Sequence, residues 1–458
     1  MAITQQLAEF VLAPSGRLAP AAVRARAARY IADTLAVTIA GSAEAGPRAL
    51  EKAIQPSGDA GAIGVPWNAY RYRAADACLL YGMAAHILDY DDVSMLAVCH
   101  PSAPVVSALC VLAPSVPASG AQFIDAYIVG TEVSIRCGQA MGFRHYDLGF
   151  HATATLGSLG AAAACARLLG LSLAQTCHAL AIAASLSAGI RKNFGSMVKS
   201  LHVGQAAAHG LQAARLANAG IQGAAEALED GGWLKAFSGG MTDHWPADLK
   251  LGQPFAIDDP GFEQKRYPCC YLMHKIIQAT LALRRQHGLS LDGLESARID
   301  MCRGGATPLI HPLPRNGLNA KFSGPYAVAG ALADGRVDLK SFEDDAVLRP
   351  AIQSAMAATS LVEGDIAPAQ GSDLGNAPVT VSLAYGDGRR YAHTVTLSPG
   401  SVQDPLSDAD LLEKARDCLA RGLPDTSADT ARAWFEAGLR LDARPSAREW
   451  LGGLRHDN

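Results

Sequence analysis

From Pro20 to about Gly252 the sequence is a succession of Ala- and Leu-rich runs broken by Gly, Pro and Ser, with few β-branched clusters. That texture constrains the fold more than any other feature, because it suits closely packed helices and leaves little material for strands. Val23, Ala27, Ile31 and Leu35 recur every four residues and line one face of a helix expected over Pro20–Ala40, with Gly41 as its stop. The Ala-rich stretches Gly157–Leu169 and Gln205–Ala219 let helix axes approach one another. Leu168–Ile190 holds no formally charged residue over 23 positions, enough to cross a bilayer by length. It also holds Ser, Thr, Gln and His, and Gly170-Leu171-Ser172 reads as a stop followed by a new cap. Ser172-x-x-Gln175 has the capping-box form. Two buried core helices are therefore expected, and no membrane partner.

The character changes at Asp258-Asp259-Pro260-Gly261. Beyond it, Val379–Tyr385 and Tyr391–Leu397 alternate with period two on either side of Gly386-Asp387-Gly388, the pattern of a hairpin. Helical runs occupy Lys275–His287 and Tyr326–Asp334, and helical pattern returns at Asp408–Ala420 and Asp429–Leu439. The expected fold class is mainly α: a large all-helical domain over 1–257 and 401–458, and a smaller α+β lid domain over 258–400. Apolar residues make up 49% of the 458, which excludes wholesale disorder. Thirty-nine Lys and Arg against 43 Asp and Glu lack the basic excess that phosphate backbones demand, so nucleic acid is not an expected partner. The ten cysteines form no C-x-x-C pair; Cys269 and Cys270 are vicinal, unlike a zinc knuckle. With no signal-peptide pattern after Met1, a reduced, cytoplasmic protein is expected.

Three constellations carry chemistry. His86-Ile-Leu-Asp89-Tyr-Asp91-Asp92, followed by His100-Pro-Ser, crowds three carboxylates into four residues. That is either a solvated acidic loop or a site in which an Asp orients His100 for proton transfer. The spacing is not the Asp-Asp-x-x-Asp of a diphosphate-binding magnesium helix, and no metal ligand is assigned. Gly149-Phe-His151-Ala-Thr-Ala-Thr-Leu-Gly opens an apolar helix; His151 is either a satisfied core histidine or a carboxylate receiver at a helix start. Lys199-Ser-Leu-His202-Val-Gly places a lysine among apolar helices, either snorkelling or paired with an anion. Ser196-x-x-Lys199 matches the S-x-x-K of serine acyl-transfer enzymes, but Ser-Asp-Asn and Lys-Thr-Gly occur nowhere downstream. Lys265-Arg-Tyr-Pro, His274 and Lys321-Phe-Ser323-Gly-Pro-Tyr326 add anion-binding and proton-transfer types. Gathered in one cleft, His100, His151, Lys199, Lys265, His274 and Tyr326 would suit a small di- or tricarboxylate.

These motifs, in this order along nearly the whole chain, resemble the MmgE/PrpD family of 2-methylcitrate dehydratases, cis-aconitate decarboxylases and iminodisuccinate epimerases. The resemblance implies a homodimer, a site between a helical domain and a lid, and no metal or organic cofactor. It implies catalytic roles for Asp89, His100, His151, Lys199 and Tyr326, and substrate binding by Lys265, His274, His202 and Ser323. The implied chemistry is proton transfer alpha to a carboxylate. A cofactor-independent lyase that dehydrates a 2-methylcitrate-like acid is the leading expectation, with epimerisation or cis-aconitate-like decarboxylation as the alternative. Two departures bear on the substrate. Val93 follows the Asp-Asp pair where the family often has Thr, and Val93–Cys99 is apolar for a loop beside a tricarboxylate.

Overall fold

Small residues at helix crossings decide how the first half of the chain packs. The computed structural model describes residues 2–14, 18–54, 61–241, 245–246, 250–365, 375 and 377–454; the chain is 58% helical and 8% strand. Helices α1 (Ile3–Val11), α2 (Ala21–Ser42), α3 (Ala45–Ile54) and α4 (Ala74–Ile87) are followed by α5 (Ser102–Leu112) and α6 (Gly120–Met141). Then come α7 (Ala152–Leu169), α8 (Leu173–Leu186) and α9 (Met197–Asn218). Helix α9 lies against α4 and α7, α7 against α6, and α2 against α4. Where α4 crosses α9, a Cβ on Gly82 would stand 2.5 Å from Gly204 Cα, so only glycine lets the backbones come this close.

Gly41 does not stop α2, which runs on to Ser42. A Cβ at Gly41 would meet the Ala84 carbonyl oxygen at 1.9 Å, so this glycine serves close approach to α4 rather than termination. The uncharged stretch after Leu168 divides as expected. Gly170 ends α7 with φ 67°, and Ser172 and Gln175 form the capping box of α8. Helix α7 has the length and apolarity to cross a membrane, but 83% of it is buried inside the protein as the central core helix.

A second apolar core forms from Tyr267 onward. Strands β1 (Ile63–Gly64) and β2 (Arg71–Tyr72) make only a short ladder in the first half. The main sheet has the order β4-β3-β5-β6, from β3 (Leu294–Met301), β4 (Thr359–Glu363), β5 (Val379–Tyr385) and β6 (Arg390–Val395). The β5–β6 hairpin pairs Val379 with Val395 and Ala384 with Arg390 around the expected Gly-Asp-Gly turn. Helices α10 (His274–His287), α11 (Gly324–Asp334) and α12 (Pro350–Ala357) cover the sheet, and Ile276, Ile277 and Val328 share a core with Ile299, Val381 and Leu383. Helices α13 (Asp408–Gly422) and α14 (Ala428–Leu439) then return to α2, bringing Leu411, Leu419 and Phe435 into the first core.

Candidate active site

The site is built where α4 runs out. After Ile87 the chain turns through Asp89, whose φ of 52° is left-handed; Asp adopts this more readily than most residues, but not freely. The turn aims the Asp89 carboxylate at two buried ammonium groups. Lys199 Nζ lies 2.5 Å from Oδ1 and Lys265 Nζ 3.0 Å from Oδ2, and Lys265 also donates to the Asp89 carbonyl at 2.8 Å. Lys199 sits in the first turn of α9, behind the Ser196 cap, with its ammonium 5.2 and 5.0 Å from the Phe194 and Phe322 ring centres. Lys265 is 1% exposed, on the segment entering the second core. Burial alone would raise the Asp89 pKa, but Lys199 and Lys265 outweigh it and hold the carboxyl well below its usual range. Burial likewise works to lower Lys265, and Asp89 and Asp91 outweigh it, so its pKa is raised.

A group of imidazoles surrounds this ion cluster. His86, at the end of α4, places Nδ1 2.8 Å from Asp91 Oδ2, and His100 Nδ1 lies 3.3 Å from the same oxygen. An ionised Asp91 bonded to His86 Nδ1 favours the tautomer with hydrogen on that nitrogen, and its charge 3.3 Å from His100 Nδ1, which has no hydrogen-bond partner among the described residues, favours hydrogen there too. That leaves His100 Nε2 as the basic nitrogen, 3.8 Å from Asp89 Oδ1. The His100 backbone N–H donates to Thr153 Oγ1 at 3.1 Å, tying this loop to the start of α7. There His151 occupies the N-cap, with its Nδ1 3.1 Å from His202 Nδ1. Burial pushes His86 down to about 3 and lowers His100 and His151 as well. At neutral pH the imidazoles are uncharged, and the charges of two carboxylates, Asp89 and Asp91, are balanced by the two ammonium groups held at Asp89.

These groups line a cleft of about 560 Å³, counted with the space at its open mouth. Asp89, His100, His151, Lys199 and Lys265 all line it, five of the nine residues named from the sequence. The cleft lies between the two cores: Cys270, Leu272 and Phe322 face it from the second. Val93, Met95 and Val98 add an apolar wall.

Four expected site residues stand outside the lining. The Tyr326 hydroxyl donates to the Ser341 carbonyl inside the second core, against the Phe342 ring. Ser323 caps α11, accepting from the Tyr326 N–H at 3.2 Å. His274 opens α10, bonded through Nε2 to the Tyr267 carbonyl at 3.1 Å and packed between Tyr267 and Tyr271. His202 backs His151 without reaching the cleft. In these positions the Tyr326 and Ser323 side chains are engaged in a core contact and a helix cap, and those of His274 and His202 bond to Tyr267 and His151.

The sequence reading did not single out Asp91 and His86 as site residues. Their signal was the five-residue spacing across a helix end, which brings a carboxylate back onto the last turn. One atom from each of His86, Asp89, Asp91 and His100 lies within 4.8 Å of the others, close enough for a shared cation. Asp89 already faces two ammonium groups, and a divalent ion beside them would meet strong like-charge repulsion. The arrangement suits proton movement next to bound anions better than metal ligation.

Comparisons with known proteins agree with this arrangement. Residues 5–245 match the MmgE/PrpD N-terminal domain and residues 267–437 the MmgE/PrpD C-terminal domain. A cis-aconitate decarboxylase of Mus musculus is 30% identical over 361 residues, covering 76% of this chain and 72% of the relative. The Homo sapiens cis-aconitate decarboxylase is 29% identical, over 74% of this chain and 71% of its own. A cis-aconitate decarboxylase-like protein of Aspergillus oryzae is 27% identical over 90% of both chains. With both of its halves matched and its motifs gathered in one cleft, the chain belongs to the MmgE/PrpD family.

Proposed function

We propose that this protein is a lyase that decarboxylates a cis-aconitate-like polycarboxylate without a cofactor, by protonating a carbanion alpha to a carboxylate. The dehydration expected first gives way to the decarboxylase alternative because the relatives reported above are named for decarboxylation. The observation that carries the reading is the pairing of two buried ammonium groups with uncharged imidazoles in one cleft.

The charge balance supports it. A polyanionic substrate enters a site whose own ion pairs cancel, so its carboxylates need new counter-charge. Lys199 and Lys265 supply part by turning from Asp89 to the substrate, and uptake of a proton from solvent at His100 Nε2 supplies the rest. Loss of CO₂ leaves an electron pair, which the conjugated double bond relays to the carbon alpha to a second carboxylate. That carbon takes the proton from His100 Nε2, so one proton is consumed for each CO₂ released. Asp91 holds His100 in place, and the ammonium groups stabilise the enediolate charge. Among the described residues His151 Nε2 has no hydrogen-bond partner, which leaves it for the substrate.

The test is to follow CO₂ and olefinic products by NMR with cis-aconitate and with 2-methylcitrate. CO₂ release from cis-aconitate is expected, with His100→Ala lowering kcat by roughly 10²–10⁴. Lys199→Ala is expected chiefly to raise KM, by roughly 10- to 100-fold, as loss of a charged hydrogen bond does. Loss of water from 2-methylcitrate with no CO₂ from cis-aconitate would overturn the decarboxylase reading.

A further inference from the structure

Outside the lining of the cleft, another buried lysine joins the segments that carry the site. Lys414 lies on α13 and is 5% exposed. Its Nζ is 2.9 Å from Asp33 Oδ1, and it donates to the Tyr90 and Lys265 carbonyls, each at 3.0 Å. An ammonium has three donors, and here three groups accept them. The Tyr90 ring packs against the same nitrogen, with its centre 3.9 Å away.

The two carbonyls are not incidental. One belongs to the residue following Asp89, the other to Lys265 itself. Lys265 Nζ in turn donates to the Asp89 carbonyl at 2.8 Å. Two successive carbonyls of the loop are therefore each held by a buried ammonium, at the point where Asp89 takes its left-handed φ of 52°. A non-glycine residue keeps such a conformation when its surroundings impose it. Asp33, on α2, anchors the far side of the clamp, and α13 packs along α2.

We propose that Lys414 is a positioning residue of the active site: by holding the Tyr90 and Lys265 carbonyls against Asp33, it fixes the Asp89 turn and the register of Lys265 opposite it. The inference rests on the carboxylate chemistry proposed above for its kinetic readout, and on geometry alone for its structural one. No part of Lys414 lines the cleft, so its effect on catalysis travels through Asp89, Asp91 and Lys265. A displacement near 1 Å at a reacting group costs up to about 100-fold in rate.

The experiment compares Lys414→Met with Leu419→Ala, a fully buried core position on the same helix. Both variants melt earlier than the wild type. Assayed with cis-aconitate below both melting points, Lys414→Met loses about 10- to 100-fold in kcat and a smaller factor in KM, because the turn that sets Asp91 against His100 slackens. Leu419→Ala stays within about twofold in both, as for a core truncation far from the reacting groups. In a crystal structure of Lys414→Met, Asp89 leaves the left-handed region or Lys265 Nζ withdraws from its carboxylate. Wild-type kcat in Lys414→Met, or an unmoved Asp89 and Lys265 in its crystal structure, would overturn the inference. If Lys414→Met does not fold, Lys414→Arg carries the same expectations, since its planar fork cannot place one atom against three acceptors. If the wild type converts no polycarboxylate, the functional reading fails, and the crystal comparison still decides the role of Lys414.

Discussion

Asp92 shows how much a single buried carboxyl at this site costs the fold. Burial pushes its pKa up to about 8, against a usual value of 3.8, even though Ser102 donates to it from both its N–H and its hydroxyl. An acid raised in this way keeps its proton in the native state after the unfolded chain has released it. The contribution of Asp92 to stability therefore falls as pH rises from about 4 to about 8, and is level above. Asp92→Asn has no such proton, so its stability relative to the wild type is expected to climb across that window and then flatten. Urea midpoints measured from pH 4 to pH 9 check this; a constant difference would contradict it. At this scale the sequence was most legible where a costly residue type stood in apolar text. Lys199, Lys265, His100 and His151 belong to that class, because burying a cation or an imidazole requires a partner. Tyr326, Ser323 and His274 share motifs with residues that line the cleft, yet here their side chains bond within a cap and a core. One-dimensional adjacency does not say which way a side chain points. Asp91 and Asp89 could not be told apart for the same reason: only the left-handed turn at Asp89 assigns one to the lysines and the other to the imidazoles.

Among the elements, capping chemistry and strand alternation were readable because each is set by a few neighbouring residues. The Ser172–Gln175 box and the β5–β6 hairpin both stand where their local signals put them. Strands β3 and β4 were not expected. β3 carries Glu295, Arg298 and Asp300 among its apolar residues, β4 spans five residues, and the two pair in parallel across a long connection. Gly41 was misread because glycine encodes two things, a helix stop and a close helix crossing, and only the partner helix distinguishes them. Gly41→Ala must push α2 away from the Ala84 carbonyl, and is expected to lower stability by about 1–3 kcal/mol. Gly452→Ala, where the added Cβ meets nothing within 4 Å, is expected to be neutral or slightly stabilising. Denaturant unfolding of the two variants tests the contrast, and equal stability would contradict it.

For the whole molecule, the chain builds one core, leaves it near Phe262 for a second, and returns through α13 and α14. The return is what lets a C-terminal lysine brace a loop formed by the first hundred residues. The mainly helical character with a small sheet followed from composition. The cleft between the two cores followed only from chemistry, because nothing local in Lys199 or Lys265 says that they meet at Asp89. That meeting is the central claim, and proton delivery at this cleft is the chemistry proposed for it. Incubation with cis-aconitate in D₂O, read by NMR, tests it most directly. The account predicts CO₂ release with one deuterium on the carbon alpha to a carboxylate, both abolished in the Lys199→Ala/Lys265→Ala double variant. An undiminished rate in that variant, or a product formed without deuterium, would contradict it.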